Sequence, residues 1–267
     1  MNQPSPLSVI DPRAIIADDV EIGPFCVIGP EVQIGPGCKL ENNVTLTGRV
    51  TPGCDNHLFP GAVIGAPPQD LRYRGSDTQA IIGIGTVIRE AVTVNRATEK
   101  EDGITSIGDG CYLMACSHVA HDCRLADRVI MANSALLGGH VHIASDATLS
   151  GNVAVHHYAS IGEFAFVAGG STVRTDVPPY MLVEGATARP RCVNIVALKR
   201  NNFANSVMAA LMEAQRLLFR SKVGLDHARE ILRGNQQLFP QVVHLLTFIE
   251  TQQEGRHGRA RERRRAA

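Results

Sequence analysis

Residues 107–173 read IGDGCYLMACSHVAHDCRLADRVIMANSALLGGHVHIASDATLSGNVAVHHYASIGEFAFVAGGSTV, and every sixth residue is aliphatic. The series is Ile107, Leu113, Val119, Leu125, Met131, Leu137, Ile143, Leu149, Val155, Ile161, Val167 and Val173. Four residues after most of them comes a small or β-branched residue, as at Cys111, Ser117, Cys123, Val129, Ala135, Val141, Ala147, Val153, Ala159 and Ala165. A period of six fits neither a helix of roughly 3.6 residues per turn nor a simply alternating sheet. It fits a solenoid in which each hexad makes one flat side and one corner, and three hexads close a coil. The aliphatic residue then points inward, and the small residue fills the tight space beside it. A sandwich of short strands would space its turns irregularly.

Working outward, the same register runs through Ile10, Ile16, Ile22, Ile28, Ile34, Leu40 and Leu46. It lapses at Pro52, returns at Leu58 and Ile64, and resumes at Ile82, Ile88 and Val94. The expected coil therefore spans residues 1–188, an all-β solenoid of stacked parallel strands. Two stretches interrupt it, residues 66–80 and 97–105, which are polar or charged and read as loops thrown out to line a binding face. Glycines after the aliphatic position (Gly23, Gly29, Gly35, Gly83, Gly108, Gly138, Gly162) suggest corners with unusual backbone angles. After Asp176-Val177-Pro178-Pro179-Tyr180 the hexads stop. Apolar spacing then predicts a small α-helical segment over 189–255, with helices from about Asn201, over Leu225 to Leu232 and over Pro240 to Phe248. The last residues, 256–267, are rich in arginine and read as a solvated, disordered tail.

Bulk composition limits the function. Hydrophobic residues make up 44% of 267, enough for a sizeable core, while aromatics are only 4% and Trp is absent. Twenty-six basic residues balance twenty-six acidic ones, which argues against a chain built to bind nucleic acid. No apolar run is long enough to span a membrane, and the N-terminus lacks a signal-peptide pattern. Seven cysteines without scaffold spacing read as reduced thiols in the cytoplasm.

The coil converts spacing into geometry. Residues eighteen apart share a column, so His121, Gly139 and His157 stack, with His140 and His156 beside them and His118 on the same coil as His121. Six of ten histidines fall within residues 118–157. Such a cluster could bind a metal, or could supply a general base near neutral pH with neighbours that hold anionic groups. Cys123 sits at the small interior position, as Cys26, Cys38 and Cys111 do, and reads as core rather than ligand. A glycine in such a column lets a backbone N–H approach an oxyanion closely.

Several of these features together resemble one family. They are the hexad coil, Gln69-Asp70-Leu71-Arg72-Tyr73, His118-Val119-Ala120-His121-Asp122-Cys123, Gly139-His140, the 176–180 segment, and Val193-Asn194-Ile195 with Leu198-Lys199-Arg200. Over residues 8 to 250 they look like the UDP-N-acetylglucosamine O-acyltransferases, which begin lipid A synthesis. The resemblance implies a left-handed coil and a homotrimer with sites between neighbouring prisms. It also implies an (R)-3-hydroxyacyl carrier protein as donor, and neither metal nor free coenzyme. By the same resemblance His121 is the base for the sugar 3-hydroxyl, Asp122 holds its imidazole, and the Gly139 N–H faces the oxyanion. His118, His140 and His156 would contact the sugar, its phosphates or the acyl hydroxyl. Gln69, Asp70 and Arg72 would line the sugar or acyl site, and Asn194 and Arg200 the nucleotide and carrier arm. Gly169 matches the position that limits acyl length, unless it is a corner glycine needing positive φ.

Asn95 stands where the family usually has His, so an amine at the same sugar position remains an alternative acceptor. From the residues themselves, Arg216 and Arg220, four apart in the helical segment, are candidates to meet an acidic carrier protein. A transferase using another sugar or coenzyme A, a zinc carbonic anhydrase on the same coil, and a non-catalytic scaffold complete the readings.

Overall fold

The structure is a computed structural model and describes residues 4–255, 258 and 259. Among the described residues the hexads wind into a three-sided parallel β-helix. The first face has nine strands, from Val9–Ile10 through His118–Val119 to Thr172–Val173. The second has six strands, from Arg49–Pro52 to Ser160–Ile161, with the pair Ile15–Ile16 and Gln33–Ile34 joined through a Val32–Val50 bridge. The third has ten, from Glu21–Ile22 to Arg189–Val193. Register follows the sequence period: His118 pairs with Leu136, Leu136 with Ala154 and Ala154 with Thr172.

Most strands are only two residues long, with the outer residue more exposed and the aliphatic one buried. The aliphatic column and the small column fill the interior together, from Val20 and Ile22 to Val173. A fully buried Ile or Leu contributes about 1.5–3 kcal/mol, so the stack itself holds the coil together.

The corners differ from the sequence expectation. Gly23, Gly29, Gly35, Gly83, Gly108, Gly138 and Gly162 do not have positive φ; the left-handed residue lies two positions later, as at Phe25, Asn43, Cys116, Asp122, Ser134 and His140. Non-glycine residues are tolerated there because the coil uses their N–H: Asn43 donates to Pro24 O, Ser134 to Ala115 O and His140 to His121 O, each at 3.0 Å. All of these glycines but Gly29 serve close approach instead. A Cβ on Gly35 would lie 2.7 Å from the Gly53 carbonyl carbon, and one on Gly108 2.6 Å from that of Ala126.

Two insertions leave the coil, each shorter than the sequence rhythm suggests, because Ala66, Gln79, Ala80, Ile104 and Thr105 belong to strands. One lies between strands Val63–Ala66 and Gln79–Ile82, the other between Thr93–Asn95 and Ile104–Ile107. Residues 189–193, placed in the helical segment from the sequence, form a strand that runs antiparallel to Met181–Glu184. Helices follow: α1 Ile195–Arg200, α2 Asn205–Gln215, a π-turn Arg216–Arg220, α3 Leu225–Gly234 and α4 Pro240–Gln253. Their buried faces include Leu211, Leu232 and Leu246. Gln215 Nε2 donates to Arg191 O at 3.1 Å, and Tyr180 Oη lies 2.9 Å from His244 Nδ1, tying helices to the coil. Most of the arginine-rich tail lies outside the described residues. Arg259, however, bonds the coil, its backbone N–H reaching Asp176 Oδ1 at 3.0 Å.

The close-approach argument predicts opposite outcomes at two glycines. Gly108→Ala should destabilise by about 1–3 kcal/mol through overpacking. Gly151→Ala, whose new Cβ meets nothing nearer than 3.6 Å, should be neutral or slightly stabilising. Thermal unfolding of the two variants checks both.

Candidate active site

The corner after the His118–Val119 strand brings the clustered residues together. Asp122 is left-handed, with φ of 60°, so it does not alternate away from His121 as it would along a strand. Its Oδ2 lies 2.8 Å from His121 Nδ1. Asp122 is fully buried and His121 partly exposed. A buried carboxylate needs partners, and Thr98 supplies two: its N–H donates to Oδ1 at 3.1 Å and its hydroxyl to Oδ2 at 2.7 Å.

One coil on, Gly139 lies beneath the imidazole. A Cβ there would fall 2.5 Å from His121 Cε1, so any larger residue would push the ring from this position. Among the described residues the Gly139 N–H has no hydrogen-bond partner. His140 is buried at the next corner, with Nε2 3.6 Å from Asp122 Oδ2 and Nδ1 3.2 Å from Glu101 Oε1. Its ring stacks on Tyr158 with centroids 4.3 Å apart. His118 Nδ1 lies 2.7 Å from Thr93 Oγ1, and burial, then the nearby His121, lowers its pKa and favours the neutral imidazole.

The two insertions meet at this edge. Lys100 forms an ion pair with Asp70, and its ammonium holds the Asp70 carboxyl below the usual carboxylate range, with His121 a further, smaller influence. Gln69 and Arg72 stand exposed on the same loop as Asp70. Asn95 is buried in the strand before the second insertion, its Oδ1 without a protein partner among the described residues. His156 lies further along the coil, where Arg259 Nη1 reaches both its Nδ1 and the His157 carbonyl at 2.8 Å.

Other expected residues lie elsewhere. Asn194 caps α1, accepting from Ala197 N–H at 3.3 Å and donating to Phe164 O at 2.8 Å. With Arg200 it lines a cavity of about 520 Å³ over Ile130, Thr148 and Phe166 on the third face, away from the histidine corner. Arg216 and Arg220 bound a separate cavity of about 730 Å³ between the last strand and α2. Arg216 is already paired to Glu213, at 2.6 Å, in a π-turn rather than a regular helix. Gly169 is exposed and its φ is not positive; the left-handed corner there is Gly170. Thr98, Thr105, Glu101, Lys100, Tyr158 and Arg259 were not singled out from the sequence. Only the departure of residues 97–105 from the hexad rhythm marked the insertion that carries four of them.

His121, Asp122 and His140 offer ligand atoms within 4.8 Å of one another. The donor set suits a proton relay better than a metal, because both Asp122 oxygens already accept hydrogen bonds and His121 Nδ1 faces that carboxylate. Cys123 is interior, as expected, with its Sγ 3.2 Å from Gly138 O.

Known proteins match this one over nearly the whole chain. A family model described as UDP N-acetylglucosamine O-acyltransferase, domain 2, matches residues 176–258, and the bacterial transferase hexapeptide model matches residues 9–48. The acyl-[acyl-carrier-protein]–UDP-N-acetylglucosamine O-acyltransferase of Halorhodospira halophila is 44% identical, covering 96% of this chain and 99% of that protein. Its namesake from Thermodesulfovibrio yellowstonii is 41% identical with the same coverage. Among solved structures, the UDP-N-acetylglucosamine acyltransferase of Bacteroides fragilis superposes with a TM-score of 0.89 at 34% identity, covering 93% of this chain and 97% of that one. That of Francisella novicida gives 0.88 at 35%, covering 93% and 91%. The hexapeptide match and these neighbours imply the left-handed form of the coil. The chain belongs to the acyl-[acyl-carrier-protein]–UDP-N-acetylglucosamine O-acyltransferase family.

Proposed function

We propose that this chain transfers an (R)-3-hydroxyacyl group from acyl carrier protein to the 3-hydroxyl of UDP-N-acetylglucosamine, the first step of lipid A biosynthesis, with His121 as general base. The observation that carries the residue assignment is the His121–Asp122 pair, at 2.8 Å, set against the unengaged N–H of Gly139. With Nδ1–H donated to Asp122, Nε2 carries the lone pair that takes the sugar hydroxyl proton. The sugar oxygen attacks the thioester carbonyl, and the Gly139 N–H stabilises the oxyanion. The intermediate collapses by breaking the C–S bond. The departing thiolate takes the proton back from His121, leaving the O-acylated sugar nucleotide and the free carrier thiol. His118, His140 and His156 extend the polar edge for sugar, phosphate or acyl hydroxyl. Asp70, Gln69 and Arg72 contribute from the first insertion.

A homotrimer in the cytoplasm belongs to the same reading. Exposed apolar strand residues on the first face, Val9, Val27 and Leu136, give a neighbour something to cover. Asn194 and Arg200 lie on a different face from His121, so a single substrate can touch both sets only across two chains. The helical C-terminal unit is assigned to recognition of the acidic carrier.

Four experiments test this. His121→Ala should lower turnover at least ~100-fold with hydroxyacyl carrier and UDP-N-acetylglucosamine, the scale of a lost general base. Near-normal turnover in an intact trimer would remove His121 from the mechanism. The same assay with the 3-amino sugar nucleotide decides the acceptor atom, and faster transfer to oxygen is expected. Reversing Arg216 and Arg220 to Glu should raise the apparent KM for the carrier, chiefly at low salt; an unchanged KM there would count against the carrier surface. Gly169 has no side chain to close a groove, so long acyl chains should be preferred. Each buried methylene is worth ~0.8 kcal/mol. A Cβ at Gly169 would meet Gly151 O at 3.3 Å, which a small shift relieves. Gly169→Met should therefore fold and favour shorter chains, and a folded variant with unaltered chain preference would rule out the ruler.

A further inference from the structure

Asp122 is held by the second insertion rather than by the regular coil. At ordinary corners the left-handed residue donates its N–H to a backbone carbonyl on the preceding coil, as Arg128 does to Asp109 and His140 to His121. The insertion removes that carbonyl at Asp122. Its N–H instead donates to the hydroxyl of Thr105 at 2.8 Å. Thr98, from the start of the insertion, contacts both carboxylate oxygens, N–H to Oδ1 and hydroxyl to Oδ2. Thr98, Thr105 and Asp122 are all fully buried.

Two donors on different oxygens fix the plane of a carboxylate, which a single donor leaves free to turn about χ2. Oδ2 is also the oxygen that His121 Nδ1 approaches. The rotation of Asp122 therefore sets the direction in which the imidazole is held. In a dry site these bonds are charge-assisted and strong, and they offset the cost of burying the anion.

We propose that Thr98 is a positioning residue for the acyl transfer: by pinning both carboxylate oxygens of Asp122 it keeps His121 in the Nδ1–H tautomer with Nε2 directed at the acceptor hydroxyl. This rests on His121 being the base. Thr98 is fully buried against Asp122, so its loss acts on the chemical step and leaves substrate binding intact. The backbone N–H of Thr98 survives substitution, so the hydroxyl is the part under test.

The experiment compares Thr98→Ala with Thr98→Ser in the full-length protein, alongside His121→Ala. Thr98→Ala should lower kcat about tenfold, the scale of one charge-assisted hydrogen bond, with KM for sugar nucleotide and carrier within about twofold. Thr98→Ser, which keeps the hydroxyl, should restore kcat to within about twofold of the parent. Nitrogen NMR of labelled histidine, with His121→Ala identifying the resonance, should show the Nδ1–H tautomer in the parent and Thr98→Ser, and its averaging in Thr98→Ala. Should Thr98→Ala fail to fold, Thr98→Val keeps the methyl and carries the same comparison. Parental kcat in Thr98→Ala or Thr98→Val overturns the proposal, as does a serine variant no faster than alanine. A slow variant with an unchanged tautomer overturns it too. If His121→Ala itself turns over normally, the reading of the base fails. If only His121→Ala is slow, the role of Thr98 alone fails.

Discussion

Each coil hangs from the next by backbone hydrogen bonds that place a residue beside the one eighteen positions later, and every other feature of the molecule follows from that register. Val9 N–H reaches Cys26 O, Val27 reaches Val44 O and Thr45 reaches Ala62 O, at 2.8–2.9 Å. Parallel strands two residues long would be too short to stand alone. They persist because most are paired on both sides and seal an aliphatic column. The same register forbids side chains at the close-approach positions, so Gly35 and Gly108 sit against the backbone of the next coil.

The site uses the coil in two ways. Stacking supplies the fixed parts: His121 over Gly139, His140 over Tyr158, and His156 and His157 further along. Interruption supplies the rest. Where the second insertion leaves the coil, the corner loses its ordinary backbone partner, and threonine hydroxyls take over around a buried carboxylate. The insertion also carries Glu101 to His140 and Lys100 to Asp70, so one loop touches His140, the Asp122 beside His121, and the other loop. A regular coil with one irregular strap gives the His121 imidazole a defined direction.

Burial sorts the charges. A carboxylate as enclosed as Asp122 would be costly alone, and its hydrogen bonds from Thr98 and contact with His121 repay the desolvation. Asp70 is stabilised as an anion by Lys100, whereas His118 is pushed toward its neutral form by burial. Neutral and anionic groups thus lie side by side at one edge, the arrangement that acid–base chemistry near neutral pH requires.

By itself the sequence determined the coil, its register and the stacking of His121, Gly139 and His157, because a six-residue period maps directly onto neighbours in space. It also marked both insertions and the later helices, through lost rhythm and a change of period. Only the tertiary structure decided how the insertions fold back, since residues 97–105 have no repeat and their partners lie on other coils. Thr98 and Thr105 look like ordinary loop threonines until the carboxylate beneath them is seen. The position of the left-handed residue was hidden for a related reason: it falls on Asn43, Ser134 and His140 rather than on a run of glycines, because the hydrogen bond to the preceding coil, not residue type, stabilises that φ. Asn194 and Arg200 likewise lie close to one another in the chain, yet packing of α1 over the third face sets them apart from the histidine edge. Sequence spacing reports which column a residue occupies, but the separation of two faces of one coil is a property of the folded prism.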